Sequence, residues 1–253
     1  LKDQAALNAF QSPFYSLSYM IEYQELSNTA HTYTTPIRSL ANFSNYGSRS
    51  RFDVRLSGLK ANTVYRARVQ LYRTSRFQLR DKRNKRIHSL PRSYPIGDVS
   101  QWYYTATDGE TKLERERTDI VLRGLYEYYL SEHQAITGYR GINYLDGTRY
   151  AADKGELWCS EFYSWAVGTQ AWSMGHRSNI SSVLSFFSAH IARVFSPSQN
   201  RLEKAKRGDY LALDTNDDGD TNHSAMFLAY DDALGAMWTL EGNASGVNQV
   251  GYQ

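Results

Sequence analysis

A single cysteine, Cys159, is all the thiol chemistry this sequence carries. One thiol excludes an internal disulfide, and without a C-x-x-C pair there is no dithiol redox motif or thiolate zinc site. No run of about 18 apolar residues occurs, so no segment is expected to span a bilayer. Charge of one sign is also scarce. Lys and Arg number 29 against 26 Asp and Glu, a net charge of +3, which gives no electrostatic case for nucleic acid. The opening residues, LKDQAALNAF, lack the apolar core of a signal peptide. What is abundant is aromatic: 20 tyrosines, with Phe, Trp and Tyr making up 14% of the chain. That bias suits β-rich or carbohydrate-contacting surfaces better than a coiled coil.

Period-2 patterning dominates the first hundred residues. Leu17, Tyr19, Ile21 and Tyr23 share one face of SLSYMIEYQEL, Phe52, Val54 and Leu56 one face of RFDVRL, and Tyr65, Ala67, Val69 and Leu71 one face of TVYRARVQLY. Such alternation predicts strands with one buried and one wet face. The basic run RDKRNKRIH (Arg80–His88) reads as a solvated hairpin loop, and VSQWYYTATDGE as a last strand ending in the turn Asp108-Gly109. The stretch LSGLKANTVYRARVQLY (Leu56–Tyr72) resembles the region of fibronectin type III domains in which an L-x-G-L-x-x-x-T-x-Y pattern turns into a strand on a corner tyrosine. The resemblance implies an all-β sandwich over residues 1–108, with Tyr65 bonding its hydroxyl to upstream backbone.

After residue 109 the period changes to 3.6. ETKLERERTDIVLRGLYEYYLSEHQ places Leu113, Ile120, Val121, Gly124, Leu125 and Tyr128 near one face. SSVLSFFSAHIARVF puts Leu184, Phe187, Ile191 and Val194 on one stripe. Strand-like runs follow: GDYLALD, HSAMFLAYDD, GAMWTLEGN and VNQVGYQ. Helices followed by an antiparallel meander predict an α+β domain over 109–253.

Cys159 heads the helix-like stretch CSEFYSWAV. At a helix start, free N–H groups and the helix dipole favour the thiolate, which is the nucleophilic form. A thiolate needs a proton shuttle with a pKa near neutrality. His223, at the start of NHSAMFLAYDD, is placed by strand geometry to face a helix N-terminus. The imidazole in turn needs an acceptor. A hairpin of HSAMFLAYDD and GAMWTLEGN returns Glu241 and Asn243 beside His223, two residues apart and so on one strand face. His190 reads as packed on its helix, His176 as a loop residue, and Trp158 and Trp172 as core.

Cys at a helix start, Gly208-Asp209 before a strand, NHSAMFLAY and WTLEGN together resemble papain-like cysteine amidases of the NlpC/P60 superfamily, CHAP type. The resemblance spans residues 135–253 and implies Cys159 as nucleophile, His223 as general base and acid, Glu241 as orienting acceptor and Asn243 as a fourth polar residue. It implies a peptidoglycan or other cell-wall peptide as substrate. Two departures stand out: Ser224 follows His223 where Val or Ala is usual, and a second oxyanion donor has no assigned residue.

DTNDDGD carries Asp214, Asn216, Asp218 and Asp220 in the spacing of the first half of a calcium loop, but position 225 is Ala where a bidentate acid belongs. It is expected to be a polar hairpin loop, with structural calcium as the other reading and no cofactor required for the chemistry. Four N-x-S/T sequons, at Asn42, Asn179, Asn222 and Asn243, include two that flank the proposed site. A glycan there would block substrate, so a bacterial secreted or periplasmic setting fits best. The competing reading is a non-catalytic surface-binding or adhesion protein with an inactive papain-like domain.

Overall fold

The computed structural model describes residues 15–40, 54–75, 92–137, 147–150, 156–168, 172–190, 204–244 and 251–252. It is a mixed α/β structure with antiparallel sheets. The chain divides into two compact units. The first gathers Leu1–Gln24, His31–Leu59 and Arg66–Tyr103, and the second Glu25–Ala30, Lys60–Tyr65 and Tyr104–Gln253.

The first unit is built on one sheet. Strands β1 (Tyr15–Glu25) and β4 (Val64–Ser75) lie side by side at its centre. Strands β2 (Tyr33–Thr34) and β3 (Arg38–Ser39) pair antiparallel with β1. Strand β5 (Ser93–Ile96) pairs antiparallel with β4; β6 (Tyr103–Ala106), which belongs to the second unit from Tyr104 on, also pairs with β4, whose first residues Val64 and Tyr65 belong to that unit too. In β1 Tyr19 and Ile21 are buried as the period-2 reading has it, but Leu17 and Tyr23 on that face are only half-buried and Ser18 and Gln24 on the other face are buried, so the faces do not divide cleanly into buried and wet. Across the strands the Nε groups of Arg66 and Arg68 donate to Gln24 and Glu22, each at 2.6 Å. Both guanidiniums lie on the Trp102 ring, at 4.5 and 4.4 Å from its centroid, which covers the ring and holds the arginine stems flat on the sheet. The expected strand at 51–56 is not formed by Val54–Leu56, which run as irregular chain. Phe52 and the basic run Arg80–His88 lie outside the described residues. Among the described residues the strands of this unit form a single layer rather than two facing ones.

The second unit packs helices on a sheet. Helix α1 (Lys112–Thr137) starts on a capping box: Thr111 Oγ1 accepts from the Glu114 N–H at 3.2 Å, and the Glu114 carboxylate accepts from the Thr111 N–H at 3.0 Å. Its buried stripe is Ile120, Val121 and Leu125, whereas Leu113, expected on that stripe, is 48% exposed in the first turn. A 3₁₀ turn (Thr148–Tyr150) precedes α2 (Cys159–Val167) and α3 (Ile180–His190). In α3 the buried side chains are Val183 and Phe186, with Leu184 and Phe187 half-buried. Ile191 and Val194 lie outside the described residues. The sheet runs in the order β10 (Gly251–Tyr252), β9 (Ala236–Glu241), β8 (His223–Asp231), β7 (Tyr210–Leu213), each pair antiparallel.

Helix α2 packs on β8 and β9 and against α1. Gly124 makes the close approach of α1 possible, since a Cβ there would lie 2.6 Å from Leu240 Cδ2. Tyr65 belongs to this unit. Its buried hydroxyl accepts from the Lys60 N–H at 2.9 Å, the corner bond expected of it.

Candidate active site

The start of α2 is fixed by Trp158. Its indole is fully buried and stacks on Tyr150 with ring centroids 5.3 Å apart. With that side chain anchored, the chain turns into the helix at Cys159. Trp158 supplies no side-chain cap, so no capping oxygen competes for the first-turn N–H groups beside the thiol.

The β8–β9 pairing sets the partner residues. Met226 lies opposite Leu240, a register that brings Glu241 diagonally beside the start of β8. There His223 Nε2 meets Glu241 Oε2 at 3.0 Å, with the carboxylate buried and the imidazole mostly so. The other carboxylate oxygen accepts from Thr239 Oγ1 at 2.5 Å. With Nε2 given to Glu241, Nδ1 is the nitrogen left for sulfur, and thiol and imidazole shift each other's titration. The end of β9 comes this close to α2 because the next residue is glycine. A Cβ on Gly242 would fall 2.6 Å from Phe162 Cβ and 2.8 Å from the Trp158 ring.

The structure therefore brings together Cys159, His223 and Glu241. Asn243 does not share their strand face. β9 ends at Glu241, and Asn243 stands beyond it with φ of 58°. The two-residue spacing puts side chains on one face only while a strand continues, and here it has already turned. His176 is exposed in the loop before α3. His190 ends α3, and its side chain lies outside the described residues. Trp158 is core as expected, while Trp172 is half-buried with the Arg117 guanidinium 5.5 Å from its ring centroid.

The electrostatics follow from this geometry. Burial pushes the Cys159 thiol up, but hydrogen bonds from His223 and Ser224 and the imidazolium charge outweigh it, leaving the thiol below its ordinary value. The His223 imidazole is raised to about 9 by its hydrogen bonds to Cys159 and then Glu241, against the opposing effect of burial. Glu241, which burial alone would raise, is held low by His223 and Thr239. The two shifts run in opposite directions, thiol down and imidazole up, and so favour the thiolate–imidazolium form of the pair, with a carboxylate behind the ring.

Several residues around the site were given no role by the sequence reading. Thr239 and Gly242 act through Glu241. Ser224, flagged only as a departure, and Ser160 are buried, with the Ser160 hydroxyl 3.2 Å from that of Tyr210 and 3.3 Å from that of Ser224. Glu161 is also buried, neither of its carboxylate oxygens has a hydrogen-bond partner, and desolvation raises it to about 7.

The acidic loop between β7 and β8 behaves differently. Asp214 accepts from the N–H groups of Gly219 at 2.8 Å and of Asn216 and Asp218 at 3.3 Å. The side-chain amide of Asn216 donates to Asp218 at 2.8 Å, and Asp218 accepts from the Asp220 N–H at 2.9 Å. These acceptors serve the loop's own backbone. Among the described residues no set of three His, Cys, Asp or Glu side chains gathers as a metal site. A cleft of about 690 Å³, lined in part by Asn62, Lys206, Phe227 and Tyr230, contains none of the three converging residues.

No protein-family model, curated protein or solved structure matches this chain.

Proposed function

We propose that this protein is a cysteine-dependent amidohydrolase or endopeptidase, its second unit a papain-like domain of the NlpC/P60 and CHAP type, preceded by a fibronectin type III-like region. The observation that carries the reading is the buried His223–Glu241 hydrogen bond at 3.0 Å, with the imidazole raised to about 9 and the Cys159 thiol lowered by its interaction with His223. Cys159 Sγ attacks the amide carbonyl carbon and forms a C–S bond. The Cys159 N–H at the α2 N-terminus faces the oxyanion that develops. The imidazolium gives its proton to the departing amine as the C–N bond breaks, leaving a thioester. Water then adds to the thioester, with His223 taking its proton, and the carboxylic acid and free thiol are released. Glu241 keeps the ring oriented and favours its protonated form.

The substrate we propose is a peptidoglycan stem or cross-bridge peptide, met outside the cytoplasm of a bacterium. It rests on the family resemblance, since function follows from sites rather than folds. The test is turnover of purified cell-wall fragments by the wild type and by Cys159→Ala, with products mapped by mass spectrometry. New amino and carboxyl ends released only by the wild type support the reading. Cell wall left uncut by a protein whose thiol is reactive moves the substrate to another amide, and an unreactive native thiol ends the enzyme reading.

A further inference from the structure

Strand β8 has 9 residues, and its neighbour β7 has only 4. Their register stops at Tyr210 opposite Met226. One step further, the Phe227 N–H donates to the Asp209 carbonyl at 2.9 Å, and the Phe227 carbonyl accepts from the Gly208 N–H at 2.8 Å. There the chain that enters β7 bends away, with Gly208 at φ of 80° and the Asp209 N–H closing a turn on the Lys206 carbonyl at 2.9 Å. From Leu228 on, no strand lies on that edge of β8 among the described residues. At the far end the Asp232 N–H donates to the Ser27 carbonyl at 3.2 Å. Along this open stretch runs the cleft of about 690 Å³. Phe227–Tyr230 and Asp232 line it from β8, and Asn62–Val64 also line it. Every lining residue belongs to the second unit.

The two ends of the cleft differ in charge. Lys206 and Arg207 line it at the Phe227 end. Arg207 is 5% exposed, and its guanidinium donates only to neutral acceptors: the Thr107 carbonyl at 2.6 Å, the Glu114 carbonyl at 3.3 Å and the Thr118 hydroxyl. Its Nε has no partner, and the acidic groups Asp108 and Glu114 act on it only at longer range. Among the described residues no carboxylate lies within ion-pair distance of Arg207 or of exposed Lys206. A buried cation in that state gains from an anion brought to it. Asp232, exposed and likewise without an ion pair, lines the other end. Between the ends, Val64, Phe227 and Leu228 give apolar walls.

We propose that the cleft takes an extended peptide, which adds to the open edge of β8 with its free C-terminal carboxylate at Lys206 and Arg207 and its amino end toward Asp232. Such a peptide runs antiparallel to β8 and continues the row of β7, ending where β7 begins. Strand addition of this kind draws affinity from main-chain hydrogen bonds and specificity from alternate side chains, which here meet the apolar walls. From Phe227 to Asp232 is five strand steps, about 16 Å, the length of an extended pentapeptide. The volume lies in the range of ligand sites. This site is separate from Cys159 and holds a peptide without cutting it.

Binding is measured on the full chain carrying Cys159→Ala, so that no probe is cut. The probes are pentapeptides of Ala, Val, Leu and Phe with free C-termini, and the same set with amidated C-termini. Retention on the protein is read by mass spectrometry, and the Kd of the tightest peptide and of its amide by calorimetry. The free carboxylate is expected to bind about 10-fold more tightly than the amide, and Lys206→Glu to weaken it by about 10-fold. Asp232→Lys is expected to weaken it less. Lys204→Glu, an exposed residue outside the lining, is expected to leave Kd within about twofold. Bound peptide should also slow hydrogen exchange in Leu228–Tyr230. All three charge variants are at exposed positions, and circular dichroism checks that each is folded. No retention of any peptide, equal Kd for acid and amide, or binding untouched by Lys206→Glu overturns the inference and leaves the enzyme reading as it stands.

Discussion

Two clusters of polar side chains stand next to each other in sequence and could hardly be more different physically. The loop from Asp214 to Asp220 is exposed, and Asp214 is lowered mainly by N–H groups of its own loop, that of Gly219 first. The site that begins at His223 is buried, and its shifts come from residues on other elements. Both collect acceptors and donors. Only the second places groups of opposite charge where solvent cannot screen them, and that contrast separates a self-contained turn from a candidate reaction centre.

The sharpest way to break this contrast is to remove the nucleophile. Cys159→Ala should abolish amide cleavage, by at least ~10³-fold, whereas Asp214→Asn should leave kcat/KM unchanged within about twofold. Next in size is the orienting carboxylate. Glu241→Gln keeps the shape but not the charge, so turnover should fall by roughly 10²-fold and the His223 titration, followed by NMR, should move down.

The pH profile sharpens the comparison further. His223 is raised above its ordinary 6.5 to about 9, so turnover should decline as pH rises through about 9 and the proton needed by the leaving amine is lost. The acid limb belongs to the Cys159–His223 pair as a unit and should lie below the ordinary thiol value. The same sign governs stability: the contribution of charged His223 is complete below 6.5 and is lost as pH rises through about 9. Thermal melts across that range, with His223→Gln as reference, measure it. Asp214, a lowered carboxylate in the open, should instead lose its smaller contribution on the acid side.

Backbone placement gives the next effect. Gly242→Ala drives a Cβ against Phe162 and Trp158, which should cost about 1–3 kcal/mol and lower turnover by displacing Glu241. Urea melts and kcat/KM measured together would separate the two effects. The smallest expected effect is that of calcium or its chelation, which should leave the melting temperature within error, since the loop's acceptors serve its own backbone.

Much of the second unit was legible because its signals are local. The period-3.6 stripe gave α1, and short strand-like apolar runs gave β7, β8 and β9. The position of Cys159 at a helix start and of His223 at a strand start followed from the same patterns. Glu241 was reachable by counting around a hairpin. Asn243 was misplaced because counting cannot see where a strand stops, and Val54 and Leu56 alternate like a strand without pairing as one.

What the sequence determined by itself was which residues could carry the chemistry: one thiol, an imidazole at a strand head and a carboxylate one hairpin away. What only the tertiary structure decided was their environment. The register of β8 on β9 chose Glu241 as the partner, the missing Cβ at Gly242 let the strand close on the helix, and packing turned Ser160, Ser224 and Tyr210 from ordinary polar residues into a hydrogen-bonded cluster. Those outcomes depend on distances between segments far apart in the chain, and local patterns of hydrophobicity carry no record of such distances.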